Sequence, residues 1–445
     1  MCRRGANCWV LRPGWSRCRP AWLACRVDPV PVADDAGDAE QVAEPELPLL
    51  QLSAPVPPVA DSPSELQRVA AALAAGSGPV AIDAERASGY RYSQRAYLLQ
   101  LRRAGSTTAL VDPVAFTDMS PLADALNGIE WVLHAATQDL PCLVEIGLRP
   151  ARLFDTELAG RLLNMPRVGL ATLVAELCGA RLAKEHSAVD WSTRPLPTPW
   201  LEYAALDVEV LVELRHLLAD KLATAGKAEW AAQEFEALLG FTGPAPRVDP
   251  WRRTSGLHRV RGQRPLGVVR ELWQARDELA ARLDIAPGRL LADSAIIEAA
   301  IAMPRAKQAL QALPGMRHRR ARPHLDSWWE AVESAVTADD DQLPPTSGRS
   351  EGLPPVRSWP DRNPPAAVRL RACRAVVSEL CERHDLPAEN LLTPEWVRRL
   401  AWAPPQPVDA ESVAALLRDR GARRWQTDLT AQALAEGMNT QNSAS

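Results

Sequence analysis

The stretch "PVAIDAERASGYRYSQRAYLLQL", Pro79–Leu101, decides the fold class of this chain. Both of its ends are apolar and Gly89 lies between them, a pattern that predicts two β-strands joined by a turn. Asp83 and Glu85 interrupt the first strand. Because side chains at i and i+2 of a strand point to the same face, the two carboxylates are expected side by side on a strand that should be buried. Their repulsion and desolvation demand a reason.

The surrounding region, residues 61–242, alternates strand-like and helical segments. "TTALVDP" and "EWVLHAA" are strand-like, whereas "SPSELQRVAAALAAG", "MSPLADALNG", "TQDLPCLVEIG" and "WLEYAALDVEVLVELRHLLADKLATAG" have helical periodicity. Strands with helices between them predict an α/β domain with a mixed sheet.

Different patterns flank this region. Residues 262–336 are helical in period throughout and predict an all-α domain. The Pro-, Ser- and Asp-rich residues 337–365 predict a linker, followed by a second helical domain at 366–437. Residues 1–60 have an Arg-, Trp- and Cys-rich head and an acidic, Pro-rich continuation, so a disordered leader and linker are expected.

Composition excludes several classes of protein. With 445 residues, 47% hydrophobic and 24% charged, the chain is typical of a globular protein of two or three domains. It has no run of about 18 apolar residues, which predicts no membrane span. Arginines and prolines break up the first thirty residues, which argues against a signal peptide. The eight cysteines match no zinc spacing and indicate a reducing cytoplasm.

The net charge of −4 conceals a segregation of charge along the chain. Residues 61–240 hold 16 Lys and Arg against 23 Asp and Glu, a balance of −7. Residues 241–330 hold 16 against 9, a balance of +7. The basic region predicts a polyanionic partner, and bound metal ions would let the acidic region approach the same partner.

Two further motifs contain carboxylates. "WVLHAATQDLPCL" places Asp139 in the first turn of a helix after a strand, where an Asp alone is typical of a helix start. "EYAALDVEVL" places Tyr203 and Asp207 at i and i+4, on one helix face, which alone is typical of a polar helix edge. Taken together with Asp83 and Glu85, they form a known constellation: DxE on a strand, a later Asp, and YxxxD on a helix.

The motifs "IDAE", "HAATQD" and "YAALD" resemble those of the DEDD 3′–5′ exonucleases, in the subgroup whose last motif carries a tyrosine. "DWSTRPL" at 190–196 and the helical region that follows resemble ribonuclease D, and residues 262–336 resemble the HRDC domain, which ribonuclease D shares with some helicases. The resemblance covers about 75–435. It implies a ribonuclease H-like mixed sheet followed by HRDC-type helical domains.

The resemblance also gives the acids a purpose. Two divalent cations about 4 Å apart can stabilise the attacking and leaving oxygens of phosphodiester hydrolysis, and Mg²⁺ prefers carboxylate ligands. By resemblance, Asp83 bridges two ions, Mg²⁺ or Mn²⁺, while Glu85 and Asp207 hold the first and Asp139 the second, largely through water. Tyr203 orients the attacking water. These four acids and the tyrosine are the predicted catalytic residues.

Other polar residues have alternative interpretations. Lys184 and Arg194 could bind a substrate phosphate, but structural ion pairs explain them equally well. His134 is more simply a buried, hydrogen-bonded histidine than a catalytic one. Asp155 in "FDTEL" is most simply a helix cap, so it is left out of the predicted site.

The implied activity is a 3′–5′ exoribonuclease that releases nucleoside 5′-monophosphates. The implied partner is RNA, either precursor tRNA or another structured RNA, with no obligate protein partner. A DNA 3′–5′ exonuclease is an alternative, because proofreading and helicase-linked nucleases share the motifs. A catalytically silent RNA-binding scaffold is another, although the intact acids and tyrosine argue against it.

Overall fold

The computed structural model describes residues 47–183, 188–347 and 352–442. Residues from Leu47 onward belong to one compact unit. Most of the predicted leader, residues 1–46, lies outside the described residues. Residues 47–60 differ from the expected linker, because Val59 and Ala60 pair with Leu110 and Val111 as an edge strand. A two-residue strand in a Pro-rich stretch is too short to produce an alternating sequence pattern.

Six strands form one mixed sheet in the described part of the chain, in the order β1-β4-β3-β2-β5-β6. Their bounds are β1 (Val59–Ala60), β2 (Ser77–Arg86), β3 (Ala96–Ala104), β4 (Ala109–Val111), β5 (Glu130–Leu133) and β6 (Arg152–Asp155). The β2–β3 and β3–β4 pairs are antiparallel, and the β1–β4, β2–β5 and β5–β6 pairs are parallel. The strand that carries the DxE motif is therefore paired on both sides.

Helices cover both faces of this sheet. In the described residues before 242 they are α1 (Pro63–Ala75), α2 (Ser120–Leu126), α3 (Leu140–Glu145), α4 (Thr156–Leu162), α5 (Leu170–Leu173), α6 (Thr198–Glu209), α7 (Leu211–Thr224) and α8 (Ala228–Leu238). Apolar residues of α1, α2 and α3 pack on one face, and those of α4, α6 and α7 pack on the other. This arrangement confirms the predicted α/β domain.

The first helical domain has its own apolar core. Its helices are α9 (Gln263–Leu283), α10 (Pro287–Leu290), α11 (Asp293–Ala302), α12 (Lys307–Ala312) and α13 (Leu325–Thr337). Trp328 is fully buried in that core, and its indole N–H donates to the Ala321 carbonyl at 2.8 Å. The helical prediction for this region is confirmed.

The second helical domain shares its core with the α/β domain. Its helices are α14 (Trp359–Arg362), α15 (Pro364–His384), α16 (Ala388–Leu391), α17 (Pro394–Trp402), α18 (Ala410–Asp419) and α19 (Arg424–Asn442). Trp425 stacks on Trp230 of α8 with ring centroids 5.0 Å apart, and its indole N–H donates to Glu234 at 3.0 Å. The buried Lys227 Nζ donates to the Asp385 carbonyl at 2.8 Å.

The predicted linker at 337–365 differs from the structure at both ends. Leu343 is buried against the first helical domain, where it approaches Gly267 of α9. Trp359 is fully buried in the core of the second domain and forms an edge contact with Trp402. Prolines, aspartates and serines are frequent in this segment, so its two anchoring side chains leave no periodic pattern in the sequence.

Among the described helices, none combines the length and apolar character that crossing a membrane requires.

Candidate active site

Strand β2 sorts its side chains onto two different faces. Val80, Ile82 and Ala84 are buried in the core beneath α1, α2 and α3. Asp83 and Glu85 alternate with them and so point to the opposite face. That face meets α6, which packs on β2 and β3. The predicted side-by-side carboxylates are therefore present, and they lie under a helix.

Helix α6 brings the third motif to the same place. Ala204, Ala205 and Val208 are fully buried and fix the helix against the sheet. This packing directs Asp207 towards the strand, so that carboxylate oxygens of Asp83, Glu85 and Asp207 all lie within 4.8 Å of one another. Residues about 120 positions apart in sequence thus form one cluster of three acids.

Asp139 reaches the site from the end of β5, the strand that pairs with β2 on the side opposite β3. It is the N-terminal cap position of α3, shortly after β5, and only 4% of it is exposed. Its Oδ1 lies 3.8 Å from Nη2 of Arg86, the last residue of β2. Asp139 lines the same cavity as the other acids, although it is outside the cluster of three.

Burial and mutual repulsion make ionisation of these acids unfavourable in the protein alone. Burial, with the neighbouring Asp83, Asp207 and Asp139 carboxylates, raises the pKa of Glu85 to about 10. Burial also raises the pKa of Asp83, and burial together with the Asp83 charge raises those of Asp139 and Asp207 well above the usual range. An oxygen-only donor set of this kind fits a hard divalent cation, whose charge would reverse the shifts.

Tyr203 lies beside the cluster as its spacing predicts. Burial and the carboxylates of Asp207, Glu85 and Asp83 raise the pKa of Tyr203, and its hydroxyl hydrogen-bonds to Asp207. The phenol is therefore protonated at neutral pH and acts as a hydrogen-bond donor rather than as a base.

The acids open into a cavity of about 730 Å³. Its polar lining comprises the four acids, Tyr203, Arg86, Ser88, Tyr90, His134 and Gln138. Leu170, Leu182 and Leu211 contribute an aliphatic wall. The volume and the mixed lining suit a nucleotide, which has a charged phosphate at one end and a flat base at the other.

The two predicted substrate contacts have different outcomes. Lys184 lies outside the described residues. Arg194 donates from Nε and Nη2 to both oxygens of Asp112, at 2.5 and 2.8 Å, and from Nη2 to the Tyr97 carbonyl at 2.7 Å. Arg194 is not among the cavity-lining residues. The ion-pair interpretation is confirmed, and a phosphate contact by Arg194 stays a prediction.

His134 and Asp155 behave as the simpler interpretations predict. Nδ1 of His134 lies 2.8 Å from Oγ1 of Thr156, and burial lowers the pKa of His134 to about 4. The Asp155 carboxylate caps α4 by accepting from two of its backbone N–H groups. The same carboxylate also accepts from Ala135 N and Ala136 N, at 3.1 and 2.8 Å, and so fixes the turn that precedes Asp139.

Sequence reasoning missed three residues near the acids. Arg86 directly follows the DxE motif, and this position beside the predicted acids was the signal that could have identified it. Tyr90 lies in the β2–β3 connection and has no recognisable motif. Gln100 on β3 is directly opposite Asp83, so both side chains share one face of the sheet. Gln100 is fully buried, and neither its amide nitrogen nor its amide oxygen has a hydrogen-bond partner. A glutamine within the apolar run "AYLLQLR" was the signal.

Three family models match successive parts of the chain. A model described as 3′-5′ exonuclease matches residues 58–223, the HRDC domain model matches 266–332, and a model described as 3′ to 5′ exonuclease C-terminal domain matches 352–438. The first two agree with the motifs and with the helical region after them. The region at 366–437, predicted to be HRDC-like, is matched by the model of the 3′ to 5′ exonuclease C-terminal domain and not by the HRDC model.

Known proteins resemble the chain over most of its length. Ribonuclease D of Gluconacetobacter diazotrophicus is 32% identical over 334 residues, which cover 73% of this chain and 81% of that protein. A protein from Bifidobacterium adolescentis with a crystal structure is 35% identical in sequence. The two structures superpose with a TM-score of 0.81, and the match covers 88% of this chain and 100% of that protein's chain. Escherichia coli RNase D, at 24% identity and a TM-score of 0.62, covers 86% and 98% and shares the fold.

Proposed function

This chain belongs to the ribonuclease D family and is a 3′–5′ exoribonuclease, and we propose that it trims structured RNA, precursor tRNA in particular, by releasing nucleoside 5′-monophosphates. The observation that carries the proposal is the cluster of Asp83, Glu85 and Asp207, with Asp139 and Tyr203 in the same cavity. These are the five residues that the family motifs predict.

The proposed mechanism assigns a task to each side chain. Asp83, Glu85 and Asp207 would hold one divalent cation, and Asp83 and Asp139 would hold a second. When bound, two such ions, Mg²⁺ or Mn²⁺, would supply positive charge to the attacking and leaving oxygens of the phosphodiester. The Tyr203 hydroxyl, which stays protonated, donates a hydrogen bond that orients the attacking water.

Arg86 adds a positive charge from the protein itself. Among the described residues that line the cavity, it is the one lysine or arginine. Its guanidinium lies near Asp139 and lowers the pKa values of Asp83, Glu85 and Asp139 against the larger effect of burial. In the proposed reaction, Arg86 balances part of the acidic charge when RNA phosphate enters.

The first helical domain supports RNA as the substrate. The balance of +7 over residues 241–330 attracts a polyanion. A second cavity, of about 440 Å³, is lined by Gln308, Gln311, Arg317 and Arg322, which are donors suited to phosphate oxygens. We infer that this domain holds the body of a structured RNA while its 3′ end enters the catalytic cavity.

The cytoplasm is the proposed site of action. Cys142, Cys178, Cys373 and Cys381, the cysteines of the described residues, are all free thiols. A reducing compartment maintains thiols in that state.

One experiment tests the whole proposal. The purified protein is incubated with 3′-extended tRNA, single-stranded RNA and single-stranded DNA, each with Mg²⁺, with Mn²⁺ or with EDTA. We expect metal-dependent release of nucleoside 5′-monophosphates, fastest from the extended tRNA, and no hydrolysis by an Asp83→Asn control. Faster hydrolysis of DNA than of either RNA would favour the DNA exonuclease instead.

A further inference from the structure

The connection between β2 and β3, residues 87–95, links the catalytic cavity to the first helical domain. Four hydrogen bonds join the two: Ala286 N to Tyr90 O at 3.0 Å, Arg289 Nε to Gly89 O at 2.6 Å, Ser93 N to Asp284 Oδ1 at 2.8 Å, and Tyr92 Oη to Asp277 Oδ2 at 3.1 Å. Their partners in the helical domain lie between residues 277 and 289. This short segment therefore fixes the conformation of the loop that follows the DxE motif.

The side chain of Tyr90 contacts both the catalytic cavity and the first helical domain. Its half-buried side chain lines the catalytic cavity. The guanidinium carbon of Arg289 lies 3.8 Å from the centroid of the Tyr90 ring, close enough for a cation–π contact. The Tyr90 hydroxyl donates to the Ala188 carbonyl at 3.4 Å. The ring is thus held at one face, at its hydroxyl and at its backbone.

An aromatic ring held in this way suits a nucleobase. Every base has a π-face, so stacking binds successive nucleotides without regard to sequence. An enzyme that removes one nucleotide after another needs that tolerance, which hydrogen bonds to base edges would not give. A ring that is already fixed also loses little conformational freedom when the base binds.

We propose that Tyr90 stacks on a nucleobase at the 3′ end of the RNA and that Arg289, from the first helical domain, positions its ring. The proposal rests on the proposed function, because it takes RNA as the ligand of the cavity. It gives the helical domain a role in positioning a residue of the catalytic cavity, in addition to its role as an RNA-binding surface. Tyr90 is a substrate-binding residue, and Arg289 is a positioning residue that acts through it.

The test compares intact RNA with RNA that lacks a base. Short single-stranded RNAs carry an abasic residue at the last or the penultimate position. Hydrolysis is measured with Mg²⁺, and equilibrium binding with Ca²⁺ in its place. We expect Tyr90→Ala to raise KM and Kd for intact RNA roughly tenfold, since base–aromatic stacking is worth about 1–3 kcal/mol per base. The loss should fall below about twofold on one of the two abasic RNAs.

Companion variants separate stacking from a general structural role. Tyr90→Phe and Tyr90→Trp keep a ring and should stay within about threefold of wild type. Arg289→Ala should raise KM about threefold, and it should add nothing in the Tyr90→Ala background. Arg282→Ala removes an exposed arginine of the same domain and should change neither KM nor Kd.

Two results would overturn the inference. One is an equal loss for Tyr90→Ala on intact RNA and on both abasic RNAs. The other is a Tyr90→Phe variant as weak as Tyr90→Ala. If the wild-type protein hydrolysed no RNA, the proposed function would fail, while the binding measurements would still decide whether Tyr90 stacks on a base.

Discussion

The two faces of β2 are built from alternate residues of one strand, and they have opposite energetics. Val80 and Ile82 are fully buried among apolar side chains, and their burial stabilises the fold. Asp83 and Glu85 face α6, where burial raises the pKa of each carboxyl. The apolar face of the strand therefore stabilises the fold, whereas its acidic face destabilises the metal-free protein.

The difference shows where the chemistry of this enzyme is concentrated. A polar group that folding brings out of water without a partner destabilises the protein. The acidic face gathers several such groups, and a divalent cation is the partner that would compensate for all of them together. Changes on the apolar face should thus reduce stability, and changes on the acidic face should reduce activity, often with a gain in metal-free stability.

The largest expected effect comes from a pair of adjacent substitutions. Asp83→Asn removes a metal-binding carboxylate and should lower the rate of hydrolysis at least roughly a thousandfold. Its free energy of unfolding in EDTA should equal or exceed that of wild type. Ile82→Ala, on the other face, should lower the free energy of unfolding by about 2–5 kcal/mol and leave the rate per folded molecule within a few-fold.

Denaturant unfolding and single-turnover hydrolysis measure the two effects separately. An Asp83→Asn protein that kept more than about a tenth of the wild-type rate, a barrier change under about 1.4 kcal/mol, would contradict the metal assignment. A folded Ile82→Ala protein that no longer hydrolysed RNA would contradict the assignment of stability to one face of the strand and activity to the other.

Tyr203→Phe extends the comparison to the helix above the acids. The variant keeps the ring and deletes one hydroxyl, which donates to the attacking water in the proposed mechanism. We expect kcat to fall roughly a hundredfold, because a hydrogen bond to developing charge is worth more than one between neutral groups. RNA affinity and folding should stay close to wild type.

A second tyrosine provides the control for that prediction. Tyr97 is buried in the same core, but it does not line the cavity. Tyr97→Phe should therefore leave kcat within about threefold. Single-turnover rates at saturating Mg²⁺ compare the two variants, and equal rates for both would leave the catalytic role of Tyr203 without support.

The acidic face should also make stability depend on pH in a particular direction. The pKa of Glu85 is raised in the folded state to about 10, from a usual value near 4.5. Its contribution to stability is present below about pH 4.5 and is lost as pH rises towards 10. In EDTA, the free energy of unfolding should fall over this window by up to about 1.4 kcal/mol per pH unit for one carboxyl.

Two measurements check the origin of that slope. Glu85→Gln should make it shallower, whereas Glu145→Gln, at an exposed position of α3, should leave it unchanged. Mg²⁺ should reduce the slope in wild type, because the bound cation favours the ionised acids. A metal-free protein that gained stability between pH 6 and pH 9 would contradict the raised pKa of Glu85.

The sequence was sufficient to predict elements whose signal is local. The alternation of strand-like and helical segments indicated the α/β class, and the motifs that contain Asp83, Glu85, Tyr203 and Asp207 indicated the acidic site through their resemblance to those of the DEDD exonucleases. Contacts between distant segments leave no such signal. The ring of Tyr90 meets Arg289 across almost 200 residues, and neither belongs to a motif. Trp359 anchors a helix within a stretch whose composition indicates a linker.

Gln100 offers the smallest effect and a direct check on the acidic face. Its amide is fully buried beside Asp83 and has no hydrogen-bond partner in the folded chain. Gln100→Met keeps the length of the side chain and removes two unpaired polar atoms, so the free energy of unfolding in EDTA should rise by about 1–3 kcal/mol.

Activity and a neighbouring residue decide how that gain is interpreted. Leu101→Met changes the next, fully buried residue, which points to the apolar face. It should lower stability by less than about 1.5 kcal/mol and leave hydrolysis unchanged. Gln100→Met should instead gain stability and lose activity. The reason is that the wild-type Gln100 amide, unpaired beside Asp83, is available to the metal-loaded site. A Gln100→Met variant less stable than wild type in EDTA would show that the Gln100 amide has a hydrogen-bond partner in the metal-free fold. The acidic face would then destabilise the metal-free protein less than its carboxylates indicate.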